Sequence, residues 1–337
     1  MNIYYTASKY GSHLRVASCY RELIRAMRPL VDGIAPADVV ILHHEPRDFG
    51  ALYGEYPALA KKYVIGYCVW ESDELPEAYK RSISHLQEVW TCSRYSQRAF
   101  AKYHPNVHFI PHVIERDTRF SPQDLDFIKQ SIGHDPACTY FLTTALRAVL
   151  RKNVGTLVNA FQAVHPRMPT AKLIVKTSYI EKQSWNASPD IISLPDRMSG
   201  AQLNALYSLA TAYVSAHHAE GWGLTLSDAM IFGKPVIATG YSGNLEYMNE
   251  SNSLLVDYVE ENIRPEDCTD LFHTGMKWAY PNENDLQNKL LVVHRERHSD
   301  FLLEKVRKAM TEIASFDRAS VMELIRHRLD DIAASCL

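Results

Sequence analysis

Ser215-Ala-His-His-Ala-Glu220-Gly-Trp-Gly-Leu-Thr-Leu-Ser-Asp228-Ala-Met-Ile-Phe-Gly233-Lys-Pro-Val-Ile-Ala-Thr-Gly240 is the most informative stretch of this 337-residue chain. The apolar run from Ala212 to Ser215 reads as a short buried strand, followed by a loop that holds Gly221 and Gly223. A helix opens near Leu224. Gly233 suits the left-handed position that ends such a helix, and Pro235 leads into the next strand. This alternation of strand and helix is that of an α/β sheet.

A helix that opens just after two glycines presents unpaired backbone N–H groups and a partial positive charge, which suits a diphosphate. Gly221, Trp222, Gly223 and Leu224 at its mouth, with His218 before them and Asn244 beyond, are therefore candidates for holding a phosphorylated donor. Glu220 stands just ahead of the helix and Asp228 about one turn inside it, so the two carboxylates can reach different ends of one bound molecule.

Outward from this stretch, Thr139 to Thr144, Lys172 to Lys176 and Ile191 to Leu194 read as further strands, separated by helices at Gly155 to Val164 and Gly200 to Ala210. The first half repeats the rhythm, with strands at Ile3 to Thr6, Val39 to Leu42, Tyr63 to Val69, Glu88 to Cys92 and Val107 to Ile110. A charged stretch with one modest helical segment separates the halves. The expected organisation is a first domain over 1–115, a linker over 116–137 and a second domain over 138–315, with a final helix within 316–337 packing back on the first. Two doubly wound sheets in tandem would bind ligand in a cleft outside the carboxyl ends of their strands.

Composition narrows the partners. The chain is 46% hydrophobic and 22% charged with a formal net charge of -3, so no global basic field exists to hold nucleic acid. Six cysteines, at 19, 68, 92, 138, 268 and 336, form no CxxC pair and lack zinc-site spacing, so they read as reduced thiols. No metal ligand set is expected. Neither a signal-peptide core nor a membrane-length apolar run is visible, which makes a cytoplasmic chain the simplest expectation. Arg15, Arg21, Arg25 and Arg28 on the first helix offer a face for peripheral contact with an anionic membrane surface.

The segment from Glu220 to Asp228 resembles the carboxylate, seven residues, carboxylate signature of retaining GT-B glycosyltransferases of the large family 4, or group 1, type. Gly240-Tyr-Ser-Gly-Asn-Leu-Glu246 resembles the next family motif, and Arg147 and Lys152 match the family's basic pair. Together with Leu173 to Thr177 these cover most of residues 138–258. The resemblance implies two Rossmann-like domains facing an interdomain cleft, a GDP- or UDP-sugar donor and a glycan or glycolipid acceptor. It further implies retention of anomeric configuration with no cofactor and no obligatory metal, and surface polysaccharide assembly as the setting.

In this scheme Glu220 holds sugar hydroxyls, Asp228 holds ribose hydroxyls, and Arg147 and Lys152 stabilise the leaving diphosphate. Gly11, after the first strand, is a further candidate at the phosphate. Glu71, at a strand end, could take the acceptor proton. His43, His44 and Trp70 are the acceptor-side candidates. Two departures from the family pattern, Trp70-Glu71 where relatives often carry histidine and Asp at 228 instead of Glu, motivate an alternative: a non-catalytic module that binds a nucleotide sugar or partners another glycosyltransferase.

Overall fold

Apolar runs that alternate with amphipathic segments fold into two α/β units, each built on a parallel sheet. The computed structural model describes residues 1–8, 11–145, 150–177, 188–194 and 197–336. The first unit comprises Met1–Glu115, Ile263–Lys277 and the segment from Ser315, and the second Arg116–Asn262 and Trp278–Ala314.

In the first unit, β1 (Ile3–Ala7), β2 (Val39–His43), β3 (Tyr63–Tyr67), β4 (Glu88–Thr91) and β5 (Val107–Phe109) pair in parallel, in sequence order. β2 is buried along its whole length, which is why it reads as an unbroken apolar run. Helices α1 (Gly11–Met27), α2 (Phe49–Glu55), α3 (Glu77–Ile83) and α4 (Arg94–Ala101) connect them. α1 buries Val16, Ala17, Tyr20, Leu23 and Ile24, the stripe that its period demands.

The second unit begins with α5 (Pro122–Ile132), whose N-terminus is closed by a reciprocal Ser121–Asp124 capping box and whose C-terminus ends on left-handed Gly133. Then follow β6 (Thr139–Thr144), α6 (Val154–Val164), β7 (Ala171–Lys176), β8 (Ile191–Leu194), α7 (Gly200–Leu209), β9 (Ala212–Ser215), α8 (Leu224–Ile231), β10 (Val236–Thr239) and β11 (Leu254–Val256). The sheet order is β11-β10-β9-β6-β7-β8. From β6 the chain winds outward through β7 and β8, then crosses back to place β9 on the other side of β6. The point between β6 and β9 is thus a topological switch, where crevices open at the carboxyl ends of strands. Phe141, Leu173, Val214 and Ile237 from this sheet share one core with Phe161 of α6 and Leu290 of α9 (Glu283–Glu296).

Two features of this division differ from those expected, and the place of the last helix agrees. Residues 116–137 belong to the second unit, because the amphipathic α5 buries Ile128 and Ile132 and packs on α7. The second unit is interrupted: the chain leaves β12 (Tyr258–Asn262), contributes 263–277 to the first unit and re-enters through β13 (Lys277–Pro281), which pairs with β12. Stacking of Phe272 on Trp70 at 4.7 Å and bonds between Lys277 and the Ser72-Asp73 turn hold this excursion to the first unit. After α10 (Asp300–Ala314), the last helix α11 (Arg318–Cys336) lies in the first unit against α1.

α11 is fixed by charge as well as packing. Glu88, fully buried on β4, accepts bonds from Tyr63 Oη at 2.6 Å, Trp90 Nε1 at 2.9 Å and Arg328 Nε at 2.9 Å. Burial pushes its carboxyl up, and the bonds from Arg328, Tyr63 and Trp90 bring it below its ordinary value. Arginines on and just after α1 have local uses too: Arg15 Nη2 donates to Glu115 O at 3.3 Å, and Arg28, next after the helix, pairs with Asp330. No helix among the described residues is long and apolar enough to cross a membrane. Removing Arg328 strands the Glu88 charge, whereas Arg318 makes only half-exposed pairs with Glu22 and Glu115. Urea unfolding should show a loss of about 3 to 5 kcal/mol for Arg328→Ala and about 1 kcal/mol or less for Arg318→Ala. Equal losses would contradict this.

Candidate active site

The switch point of the second unit gathers the charged residues of two loops. After β6 a short helical turn, Leu150–Lys152, is followed by Asn153 in the left-handed conformation, from which α6 starts. After β9 the chain runs through His217 to Gly223. Because β6 and β9 are neighbours, the loops meet: His218 N donates to Arg151 O at 2.8 Å, and the Arg151 guanidinium reaches Ala219 O.

Glu220, 4% exposed, receives the Lys152 ammonium on Oε1 and Arg151 Nη1 on Oε2 at 3.1 Å. Burial pushes its carboxyl up, but the cations of Lys152 and Arg151 outweigh burial and bring it to about 2. Glu220 is therefore ionised at neutral pH. The cluster carries two positive charges against one negative, beside the opening of α8, whose first N–H groups have no partner within the helix. It can hold an anion.

The backbone around Glu220 is set by the Gly240–Glu246 segment. Glu220 N donates to Ser242 Oγ at 2.7 Å, and Gly243 N donates to Glu220 O at 2.8 Å. Ser242 holds a φ of 79°, a region that L-residues rarely occupy. Gly243 lies so near the opposite loop that a Cβ there would stand 2.0 Å from Gly221 O. Gly223, with a φ of 88°, turns the chain into α8, and the Tyr247 hydroxyl lies 2.9 Å from Trp222 O and 2.8 Å from Gly223 O. Trp222 is buried against the Tyr247 ring.

The two histidines before Glu220 are framework. His218 Nδ1–H donates to Ala279 O at 2.7 Å, and its ring stacks on Trp278. His217 lies 3.0 Å from Ser215 Oγ through Nδ1, while its Nε2 faces Asn244 Oδ1 at 3.2 Å. Asn244 Nδ2 in turn donates to Thr239 O at 3.1 Å, so this amide is engaged within the protein. Burial pushes the His217 imidazole down to about 4, and it stays neutral.

Asp228 lies inside α8, paired with Arg116. The Arg116 guanidinium packs over the rings of Tyr207 and Phe232 at 5.2 and 5.5 Å, and its Nε donates to Asn204 Oδ1 at 3.0 Å. Arg147 lies outside the described residues. Among the described residues Arg151, adjacent to Lys152, supplies the guanidinium on Glu220.

The remaining candidates lie in the first unit. Gly11 is the first residue of α1. His43, at the end of β2, is buried with Nδ1 2.7 Å from Tyr5 Oη, and half-buried His44 has Nε2 3.1 Å from Thr6 Oγ1. Trp70 is 1% exposed, donates from Nε1 to Glu74 O at 2.6 Å and stacks on Phe272, so it packs its loop rather than facing a ligand. Glu71, half-buried, follows it beyond the end of β3.

Residues 139–264 match the sequence model of the family described as glycosyl transferases group 1. That span holds Lys152, Glu220, Asp228 and Ser242. No curated protein matches the chain significantly in sequence. Among solved structures, HepE of Anabaena, crystallised with UDP-glucose, superposes with a TM-score of 0.68 at 15% identity, covering 98% of this chain and 99% of that one. Sucrose-phosphate synthase of Thermosynechococcus elongatus gives 0.72 at 12% identity, covering 99% of each. The pneumococcal O-GlcNAc transferase GtfA, crystallised with UDP and GlcNAc, gives 0.60 at 17% identity over 88% of this chain and 57% of that one. At such identities the likeness is one of fold, the GT-B architecture of two parallel α/β units. Residues 139–264 thus resemble a glycosyltransferase group 1 domain, and the match and the fold together support a glycosyltransferase.

Two outcomes follow from this geometry. Gly243→Ala forces the two loops apart and should cost about 3 kcal/mol or more, while Gly155→Ala, with nothing within 4 Å of its Cβ, should be neutral or stabilising. Thermal unfolding of both variants checks this. His217 binds a proton more weakly folded than unfolded, so stability should fall as pH drops from 6.5 towards about 4. Glu220 continues the fall from 4.5 towards about 2. In His217→Gln the decline through the upper window should flatten; an unchanged slope would remove His217 as its source.

Proposed function

We propose that this chain is a retaining glycosyltransferase that moves a sugar from a GDP or UDP donor to a glycan or glycolipid acceptor. The observation that carries this reading is the net positive cluster of Lys152, Arg151 and Glu220 at the switch point, next to the mouth of α8. The group 1 match, the UDP-glucose of the HepE crystal and the UDP and GlcNAc of the GtfA crystal support it.

In this reading the diphosphate lies against Lys152, Arg151 and the α8 N-terminus, and Glu220 accepts hydrogen bonds from sugar hydroxyls. As the bond from the anomeric carbon to the phosphate oxygen breaks, negative charge grows on the leaving diphosphate, where the two cations stabilise it. The acceptor oxygen then bonds to the anomeric carbon from the same face. Its proton passes to the departing phosphate, so no protein nucleophile is required. Glu220, with its carboxyl near 2, serves as a fixed negative charge rather than a proton carrier. The two cations already supply the charge compensation, so no divalent ion or other cofactor is needed. Assembly of surface polysaccharide or another glycoconjugate at the inner membrane face is the setting we infer.

The burial of Asp228 against Arg116 favours a second reading, a nucleotide-sugar-binding module without turnover, since this carboxylate is already neutralised. A panel of UDP-, GDP- and ADP-sugars separates the two. We expect slow hydrolysis of one donor with retention at the anomeric carbon, unaffected by EDTA, and reduced by about 10²-fold or more in Glu220→Gln and in Lys152→Ala. Binding without turnover under all acceptors would favour the module, and failure to bind any nucleotide would overturn both.

A further inference from the structure

The outer edge of β1 is only partly covered. Pairing with β2 turns the main-chain groups of alternate residues inward: Val39 N donates to Asn2 O at 3.2 Å, and Ser8 N donates to His43 O at 3.0 Å. The residues between them turn outward. Ile3 is satisfied there, donating to Pro29 O at 2.9 Å and accepting from Val31 N at 3.0 Å. Tyr5 and Ala7, next along the same edge, have no such main-chain partner among the described residues.

Beside them lies a cavity of about 520 Å³, walled by this edge, by Ser18 and Arg21 on α1, and by Asp32. We propose that it is a saccharide-binding subsite for a neutral, hydroxyl-rich part of the acceptor. Its volume falls in the range of small-molecule sites. The strand edge offers both N–H donors and C=O acceptors, matching hydroxyl groups that both give and receive. Among the described residues Arg21 and Asp32 give it one charge of each sign, which matches a neutral ligand. Leu14, Ala17 and Ala7 give it apolar contacts, and Tyr4 offers an aromatic wall against which a sugar ring face can lie. None of His43, His44 and Trp70 lines this groove. The occupant's role as acceptor rests on the transferase reading; saccharide binding itself does not.

The test uses the full chain, with maltotriose, cellotriose and chitotriose as neutral probes, trigalacturonate as an anionic one and a Thr-Val repeat hexapeptide as an extended strand. Binding is read by saturation-transfer NMR and calorimetry. Ser18 is exposed and bonds only its own helix at Leu14 O, so Ser18→Trp can block the groove with the fold intact, as thermal unfolding verifies. We expect at least one neutral trisaccharide to bind, weakened at least about tenfold in Ser18→Trp, with donor hydrolysis unchanged. Three results overturn the subsite: no neutral trisaccharide binds, binding survives Ser18→Trp, or trigalacturonate or the hexapeptide binds as well. Saccharide binding lost in Ser18→Trp, in a chain that turns over no donor, would keep the subsite and remove the transferase reading.

Discussion

One buried carboxylate organises the second unit. Glu220 is removed from water at the point where β6 and β9 part, and an ion so placed is tolerable only when paired and bonded. Lys152 and Arg151 meet that requirement from one loop, while Ser242 and Gly243 hold the Glu220 backbone from another. Three loops are thereby held in one arrangement before any ligand arrives. Sites preorganised in this way need little rearrangement as charge develops on a substrate.

The same constraint extends to the neighbouring side chains. His217 and Asn244 look like polar candidates, but their hydrogen bonds run inward to Ser215 and Thr239. They keep the loop rigid. Arg116 does the equivalent for α8 by joining Asp228 to Asn204 between two aromatic rings.

Much of the sheet architecture is legible in the sequence, because buried parallel strands are short apolar runs. Thr139 to Thr144, Ile191 to Leu194 and Ala212 to Ser215 end where the apolar pattern ends, and Gly233 has the positive φ expected of it. Glu220 stands out in the sequence beside Gly221 and Gly223, and Lys152 only through the family resemblance. Nothing in the sequence singles out Arg151, since its turn towards Glu220 depends on the helical turn and on left-handed Asn153. The 263–277 excursion was equally hidden: it is polar and aperiodic, and its attachment depends on Phe272 finding Trp70, two aromatics some 200 residues apart in sequence whose contact no local pattern encodes. Trp70 at a strand end suggested a ligand, yet its partner was another part of the chain.

That interleaving has a consequence for biosynthesis. The first unit is begun by Met1 but is not complete until 263–277 and α11 have been made, whereas the second unit has all its strands by β13. Glu88 waits for Arg328, which lies 240 residues later. At ribosomal rates of roughly 5 to 20 residues per second, the interval is roughly 10 to 50 s. Through that time Glu88 has Tyr63 and Trp90 beside it but not its guanidinium partner, so the unit nearest the N-terminus is the last to close.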